Sequence, residues 1–436
     1  MEKSGFIHRE GKTLMRLPSD PRTWGRGPRV KGSEDVFYNP SMAGSRTRSV
    51  LLFKHAIERG FFGDGPIYAI DGLCASGLRA RRWINELPRD MSARISATIV
   101  EMDPVALDWA MSNHLEYPPD MEILDFIPIC GDFRSVVMSS GRHWIDVDPY
   151  GSPIPFLDSC MQSLARSSVL EVSATDTAAL AGSSKRPLLR RYGARICRGG
   201  LAHDSGLRVM LSTIARVAAK HDRCIEPLLS IWDSHHLRAS VRVTRSIDGA
   251  NDVERNLGWR VHSPTHEEVS SSIESGLHHV SSLEQLPMNC FLPIGFPIEL
   301  DDPRISGPMW IGSMGDFSAM SSMTPEMALE LCGPTEVGDP LNWEARDFEY
   351  ERRRIVRSVK NICDEAEAIG SHNHIIVDEL ASWLHLEAPP SPAKMVSLLR
   401  EMGQKAGLTN YGLPSFRTDS PWERIVEVAK RLQPPM

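Results

Sequence analysis

The sequence predicts an α/β protein built on an open, mostly parallel sheet, and three observations carry that expectation. Short β-like runs alternate with helix-like stretches through the first half of the 436-residue chain, as in a sheet covered by helices on both faces. Acidic residues fall at the ends of those runs, the edge at which open sheets of this kind bind ligands. The last two runs lie close together, as an antiparallel hairpin requires. A chain of this length exceeds one ordinary core, so two domains are expected, 1–245 and 246–436.

The first strand is "PIYAID" (66–71), followed by helix-compatible "GLRARRWINEL". The second is "SATIVEMD" (96–103), with "PVALDWAMSNH" after it and proline placed at a helix start. "FIPIC" (126–130), "WIDVD" (144–148) and "VLEVSATD" (169–176) come next. "HDSGLRVMLSTIARVAAKH" (203–221) has apolar residues at helical spacing. It leads into "CIEPLLSIW" (224–232) and "RASVRVTR" (238–245), the closing hairpin. Seven strands ending in a hairpin are the layout of a Rossmann-like class I methyltransferase domain; a nicotinamide-binding domain begins alike and lacks that ending. From about residue 246 the pattern loosens, and "SSSIESGLHHVSSLEQLP" fits a linker or insertion. Near the C-terminus "HIIVDELASWLHL" and "SPAKMVSLLREMGQKAG" predict two amphipathic helices, the second started by Ser391-Pro392. "YGLPSFRTDSP" follows, and "WERIVEVAKRL" closes a mixed α/β C-terminal domain that ends in a winged-helix-like unit.

Composition narrows the class. With 41% hydrophobic and 24% charged residues the chain is globular rather than disordered. It has no apolar run of about 18 residues, and its N-terminus lacks a signal peptide's apolar block; a cytoplasmic protein is expected. The eight cysteines (74, 130, 160, 197, 224, 290, 332 and 363) form no CxxC pair, which fits reduced thiols better than disulfides or a thiolate zinc site. The net charge of −7 argues against simple coating of nucleic acid. Local balance differs: residues 1–31 carry eight Lys/Arg against three Asp/Glu, "KRPLLRRYGARICRGG" (185–200) has six basic residues and no acid, and "RRRIVRSVK" (352–360) has five and none. Each could be a solvated face; together they favour a basic groove for a polyanion.

Four acids sit at or just beyond strand ends: Asp71, Asp103, Asp132 and Asp148. The loop "DGLCASGLRARR" (71–82) offers a close backbone approach and the free N–H groups of a helix start. Asp103 either accepts the ribose hydroxyls of an adenosine or caps the helix opening at Pro104. "GDF" (131–133) would bring Asp132 and a backbone N–H to the adenine edge. "DVDPYGSP" (146–153) resembles the (D/N)-P-P-(Y/F) loop of amine methyltransferases. A nucleobase exocyclic amine is a poor nucleophile because its lone pair is conjugated with the ring. A carboxylate accepting its N–H returns density to nitrogen, proline stiffens the loop, and the aromatic ring stacks on the base. Asp148 takes the first role and Tyr150 the last. Asp146, on the same strand face, is the alternative acid, and a plain strand-to-helix turn is the alternative for the whole octapeptide.

Further motifs extend the comparison. "FYNPSMAGSRTRSV" (37–50), "DVDPYGSPIPFLDS" (146–159), "SATDTAALAG" (173–182), "RRYGAR" (190–195), "GLRVMLSTIARVAAKHDRCIEPLLSIW" (206–232), "SGPMWIGSM" (306–314) and "FRTDSP" (416–421) together resemble the tRNA guanine-26 N2-dimethyltransferase family. The resemblance spans about residues 35 to 422, with a weak stretch near 246–300. It implies methyl transfer from S-adenosylmethionine to a guanine amine in tRNA, usually twice, by a cytoplasmic tRNA-binding enzyme without an obligate protein partner. On that resemblance Arg46 would meet the methionyl end of the cofactor, and Arg79, Asp103, Asp132 and Phe133 match the other cofactor-contacting positions. Asp148 matches the proposed catalytic acid. Ser45 replaces the usual asparagine of the N-P-x-M-x-x-(N)-R motif, and Tyr150 stands where phenylalanine is usual. Family members often carry two cysteine pairs in the second domain; here only His262 and Cys290 stand near them, so no metal is expected. A methyltransferase of the same fold acting on DNA or protein amines, and a non-catalytic tRNA-binding protein, are the competing expectations.

Overall fold

The computed structural model describes residues 4–21, 36–139, 141–233, 235–280, 283–299, 301–336, 339–409, 411 and 413–433; much of the basic N-terminal segment, 22–31 included, lies outside them. These residues cluster into two compact units. The first comprises Met1–Pro149, Pro155–Val172 and Ser322–Lys360, the second Tyr150–Ile154, Ser173–Ser321 and Asn361–Met436.

The first unit opens with a hairpin of β1 (Phe6–Glu10) and β2 (Thr13–Leu17), which sequence periodicity did not reveal. Its two-residue turn is Gly11-Lys12, with Gly11 at φ +64, a backbone that costs glycine little. Met15 and Leu17 of β2 join Val36, Tyr38, Leu78, Ala106 and Trp109 in a buried cluster. Segment 322–360 returns to this hairpin: Arg9 Nη1 donates to Thr335 O at 2.9 Å, and the Gly11 N–H donates to Glu351 Oε1 at 2.8 Å. Helix α1 (Ala43–Glu58) is approached through Asn39 and Pro40, with Asn39 Oδ1 accepting from the Ser41 N–H at 3.0 Å.

The strands and helices predicted from the first half are present, with ends moved by a few residues. Together with further helices that the sequence reading did not announce, the elements in chain order are β3 (Ile67–Gly72), α2 (Leu78–Glu86), β4 (Ile95–Glu101), α3 (Pro104–Glu116), β5 (Asp125–Cys130), α4 (Phe133–Val137), β6 (Arg142–Val147), α5 (Ile154–Ser163) and β7 (Leu164–Ala174). They continue through α6 (Lys185–Tyr192), α7 (Ala202–Ala219), β8 (Arg223–Asp233) and β9 (His236–Arg245). The sheet order is β5-β4-β3-β6-β7-β9-β8. β3 pairs in parallel with β4 on one side and β6 on the other, β6 pairs in parallel with β7, and β8 and β9 are antiparallel. Strand order therefore reverses between β3 and β6, a topological switch point. Register places Asp71 beside Asp146, so Asp148 lies just past that edge. Under the sheet Phe53 stacks on Trp144 at 4.2 Å, with Trp83 edge-on to Trp144 at 6.1 Å; such rings bury roughly 150–250 Å² each.

In the second unit β10 (Leu257–His262) is flanked by β11 (Asn289–Pro293) and β12 (Ile305–Trp310), both antiparallel. The C-terminal part differs from expectation at one point. "HIIVDELASWLHL" is not one helix: Asn373–Ile376 is strand β13, and helix α8 covers Val377–Leu384. Helix α9 (Pro392–Glu401), strands β14 (Ala406–Leu408) and β15 (Ser415–Thr418) and helix α10 (Trp422–Arg431) follow, in a sheet of order β13-β15-β14. Leu380, Met395, Leu399, Phe416, Trp422 and Ile425 pack there into one apolar cluster. Among the described residues no helix is long and apolar enough to cross a membrane.

Candidate active site

The loop joining β3 to α2 is backbone-strained. Leu73 (φ 62), Ala75 (φ 45) and Gly77 (φ 65) are all left-handed, which costs a non-glycine residue on the order of 1–3 kcal/mol. Four hydrogen bonds hold it. The Cys74 N–H donates to Val100 O at 2.9 Å, the Ala75 N–H to Glu101 Oε2 at 3.0 Å, the Gly77 N–H to Cys74 O at 2.8 Å, and the Ala80 N–H to Asp71 Oδ2 at 3.2 Å. Gly72 has its own reason: a Cβ there would lie 2.6 Å from the Phe133 ring.

Arg79, in the first turn of α2, gathers the carboxylates of the opposite strand end. Its Nη2 donates to Asp148 Oδ2 at 2.6 Å, and its Nε lies 3.3 Å from Asp146 Oδ1. The side chain of Asp146 is fully enclosed, whereas that of Asp148 is 21% exposed. Of the two candidate acids, only Asp148 presents an accessible side. Arg79 Nη1 is buried without a hydrogen-bond partner, an unsatisfied cationic N–H that is costly unless an acceptor reaches it.

At the second strand end the structure shows the capping alternative for Asp103. Asp103 takes the cap, its Oδ1 accepting from the Val105 N–H at 2.9 Å. The carboxylate that terminates β4 is Glu101, which accepts from the N–H groups of Ala75, Met102 and Asp103 at 3.0, 2.8 and 3.1 Å. Pro104 carried the signal, since a proline in first helical position makes its predecessor the cap.

Asp132 caps α4, accepting from the Arg134 N–H at 2.9 Å, and pairs with the Arg134 guanidinium, which lowers its pKa. Phe133 is buried, 6.0 Å from Phe156 between ring centroids. As the first helical residue its N–H has no intrahelical acceptor. Arg46 is engaged elsewhere: Nε and Nη2 donate to the two Glu10 oxygens at 2.6 Å each, and Nη2 also reaches Asn39 O at 3.0 Å. Glu10, from β1, also accepts from Arg82 at 3.0 Å and the Tyr38 hydroxyl at 2.7 Å. Nothing in the spacing of residues 10 and 46 announced this pair.

Burial alone would raise the Glu10 pKa, yet Arg46 and Arg82 hold it well below the usual carboxylate range. A group depressed in the folded state contributes stability above its unfolded value of about 4.3, and that contribution is lost as pH falls through the folded value. The unfolding midpoint of the wild-type chain is therefore expected to drop steeply below about pH 4. In Glu10→Gln the midpoint should start lower and fall less, measured by circular dichroism across a pH series.

Tyr150 is 57% exposed and begins the segment Tyr150–Ile154 of the second unit. The segment is pinned there. Gly151 (φ +79) donates its N–H to Thr175 Oγ1 at 2.6 Å and accepts from the Thr175 N–H at 2.9 Å, and the Tyr192 hydroxyl lies 3.1 Å from Ser152 Oγ. Among the described residues no three His, Cys, Asp or Glu side chains form a metal-binding group. His262 Nδ1 lies 3.2 Å from Asn289 Oδ1, and Cys290 packs with Val261, Leu292 and Ile305, where burial and Glu268 push its thiol up to about 12.

A sequence model of the N2,N2-dimethylguanosine tRNA methyltransferase family matches residues 11–430. The chain belongs to that family. Members similar to it include the tRNA (guanine(26)-N(2))-dimethyltransferase of Aeropyrum pernix, 27% identical over 434 residues, which are 98% of this chain and 97% of the relative. The Pyrococcus horikoshii enzyme of the same name is 28% identical over 432 residues, 97% of each chain. Among solved structures, Trm1 from Pyrococcus horikoshii in complex with S-adenosyl-L-methionine superposes with a TM-score of 0.72 at 23% identity, covering 97% of this chain and 99% of that one. The family fold therefore runs through both units, and the seven-stranded sheet is that of a class I methyltransferase.

Proposed function

We propose that this chain transfers methyl groups from S-adenosylmethionine to the exocyclic N2 of guanine 26 in tRNA, normally twice. The observation that carries the proposal is Asp148: a carboxylate at the switch point of the sheet, held by Arg79, 21% exposed and followed in sequence by an exposed aromatic. The residues present fit the cofactor. Arg79 Nη1 is a buried donor lacking an acceptor, suited to a carboxylate such as the methionyl group's. Glu101 ends β4 where ribose hydroxyls would be accepted, and Asp132 with the Phe133 N–H would hold the adenine edge. Arg46 keeps only Nη1 outside its bonds to Glu10 and Asn39, so Glu10 orients whatever contact it makes. When bound, S-adenosylmethionine supplies the electrophilic methyl group. Asp148 accepts an N–H of the guanine amine and aims its lone pair, Arg79 fixes the carboxylate in place, and Tyr150 stacks on the base.

Residues 1–245 carry the chemistry in this proposal, and 246–436, ending in the winged-helix-like unit, contribute to holding the tRNA. The substrate and eight free cysteines fit a cytoplasmic enzyme without a metal or an obligate protein partner. Incubation of the purified chain with unmodified tRNA and labelled cofactor, followed by nucleoside mass spectrometry, tests the activity. N2-methylguanosine and N2,N2-dimethylguanosine should form and should vanish when guanine 26 of the transcript is replaced by adenine. Label entering duplex DNA or protein instead would overturn the substrate, and no turnover with intact tRNA binding would leave a non-catalytic binder. Glu101→Gln should weaken cofactor binding about tenfold or more, the cost of one charged hydrogen bond, with tRNA affinity unchanged; calorimetric titration of each ligand measures both.

A further inference from the structure

The three basic clusters of the sequence separate on structural grounds. Residues 22–31 lie outside the described residues. In the cluster beginning at Arg352, Arg352, Arg353 and Arg354 are paired with Glu336, Glu349 and Glu351, each at 2.6 Å, which leaves Arg357 and Lys360 as its exposed cations without an ion pair among the described residues. The stretch 185–200 keeps more of them. Arg191 pairs with Asp176 and Arg195 with Asp301, but Lys185, Arg186, Arg190 and Arg198 are exposed and make no ion pair among the described residues.

Helix α6 turns Leu188 and Tyr192 inward, both 1% exposed. Lys185, Arg186 and Arg190 lie on its solvent face around Leu189, which is 50% exposed. No acid stands in its first turn. Lys185 and Arg186 instead occupy the end where the helix dipole disfavours cations, so their charge does not serve the helix. The helix is firmly placed: Arg216 Nη2 donates to Tyr192 O at 3.0 Å, and the Tyr192 hydroxyl meets Ser152 Oγ in the segment that begins with Tyr150. A rigid, uncompensated basic face is thus tied within one unit to the residue assigned to stack the target base.

We infer that α6 and Arg198 hold the sugar–phosphate backbone of the tRNA strand flanking the target guanosine. The inference rests on the tRNA activity proposed above. In a chain of net charge −7, a polyanion is drawn to a local positive surface rather than to the molecule as a whole. Bonds to phosphate supply affinity and register, and they leave base choice to the active site.

The test uses the full chain, an unmodified tRNA transcript and fluorescence anisotropy across a KCl series. The combined variant Lys185→Ala, Arg186→Ala, Arg190→Ala should raise the tRNA Kd about tenfold or more. It should also lower the slope of log K against log salt by about 2, since each phosphate left without its cation accounts for roughly 0.7–0.9. Its unfolding midpoint and cofactor titration should match the wild type, because the three side chains are exposed. Arg346→Ala, Arg352→Ala, Arg353→Ala removes the same net charge from glutamate-paired positions and should leave the slope unchanged. Equal losses in the two variants would mean that only total charge matters and would overturn the inference. So would an unchanged isotherm in the first variant. A wild-type chain without tRNA affinity would bring down the proposed activity as well, whereas wild-type binding that survives the first variant overturns only this surface.

Discussion

Asp148→Ala is expected to lower the rate of methyl transfer at saturating substrates by about 10²–10⁴-fold, the range for a positioned proton acceptor. The side chain has two duties. It accepts from Arg79 Nη2 at 2.6 Å, and its accessible side would meet the guanine amine. Alanine removes both and leaves a buried guanidinium with Asp146 alone, so some loss of stability accompanies the loss of rate. Asp148→Asn separates the effects. Its amide oxygen still accepts from Arg79 and preserves the local packing, while the full negative charge opposite the amine is gone. The asparagine variant should therefore unfold near the wild-type midpoint and bind cofactor normally, yet turn over at least about a hundredfold more slowly. Single-turnover kinetics with labelled cofactor would show it. A rate within about threefold of wild type in a folded Asp148→Asn protein, far short of the range for a positioned acceptor, would remove Asp148 from the mechanism.

The second large effect concerns stability. Asp204, at the start of α7, is wholly buried and is the hub of a cluster inside the second unit. Its carboxylate accepts from Arg208 Nε at 2.8 Å, from Arg417 Nη2 at 3.1 Å and from Arg260, and lies 3.3 Å from His374 Nδ1. Burial works against its ionisation, but the arginines hold its pKa well below the usual value. Arg208 and Arg260 each place their guanidinium carbon 4.8 Å from the Phe291 ring centroid. Glu365 is a second counter-ion to Arg417 at 2.9 Å. Asp204→Asn would strip the shared charge from three buried arginines, and breaking such a network from one side costs about 3–5 kcal/mol. Chemical denaturation should show a fall of that size, with the midpoint shifting and little change in slope. A change under about 1 kcal/mol, well below the cost of an uncompensated buried charge, would show that surrounding dipoles, not Asp204, carry the arginines.

The strands of the sheet were legible because each is a short apolar run bounded by turn residues, and the hairpin of β8 and β9 because its two runs are nearly contiguous. Asp148 was legible because proline, an aromatic and glycine follow an acid at a strand end. Other parts were not. "HIIVDELASWLHL" hides three strand residues, His374, Ile375 and Ile376, because a short apolar run has no period that separates strand from helix. Glu101 and Asp103 are both acids near one strand end, and the sequence alone does not separate the carboxylate that receives the loop N–H groups from the one that caps the helix. The Arg46–Glu10 pair, the return of 322–360 to the N-terminal hairpin and the Asp204 hub join residues far apart in sequence. Pairings of that kind leave no local pattern.

The left-handed backbone at Leu73 and Ala75 also governs how this gene can drift. Valine, isoleucine and threonine are barred from both positions by their branched Cβ, whereas glycine or asparagine enters cheaply and relieves conformational stress. Codon changes at 73 and 75 should therefore survive selection along a narrow corridor of residue types. Directed evolution of this enzyme would gain thermal tolerance at these two positions of the loop joining β3 to α2.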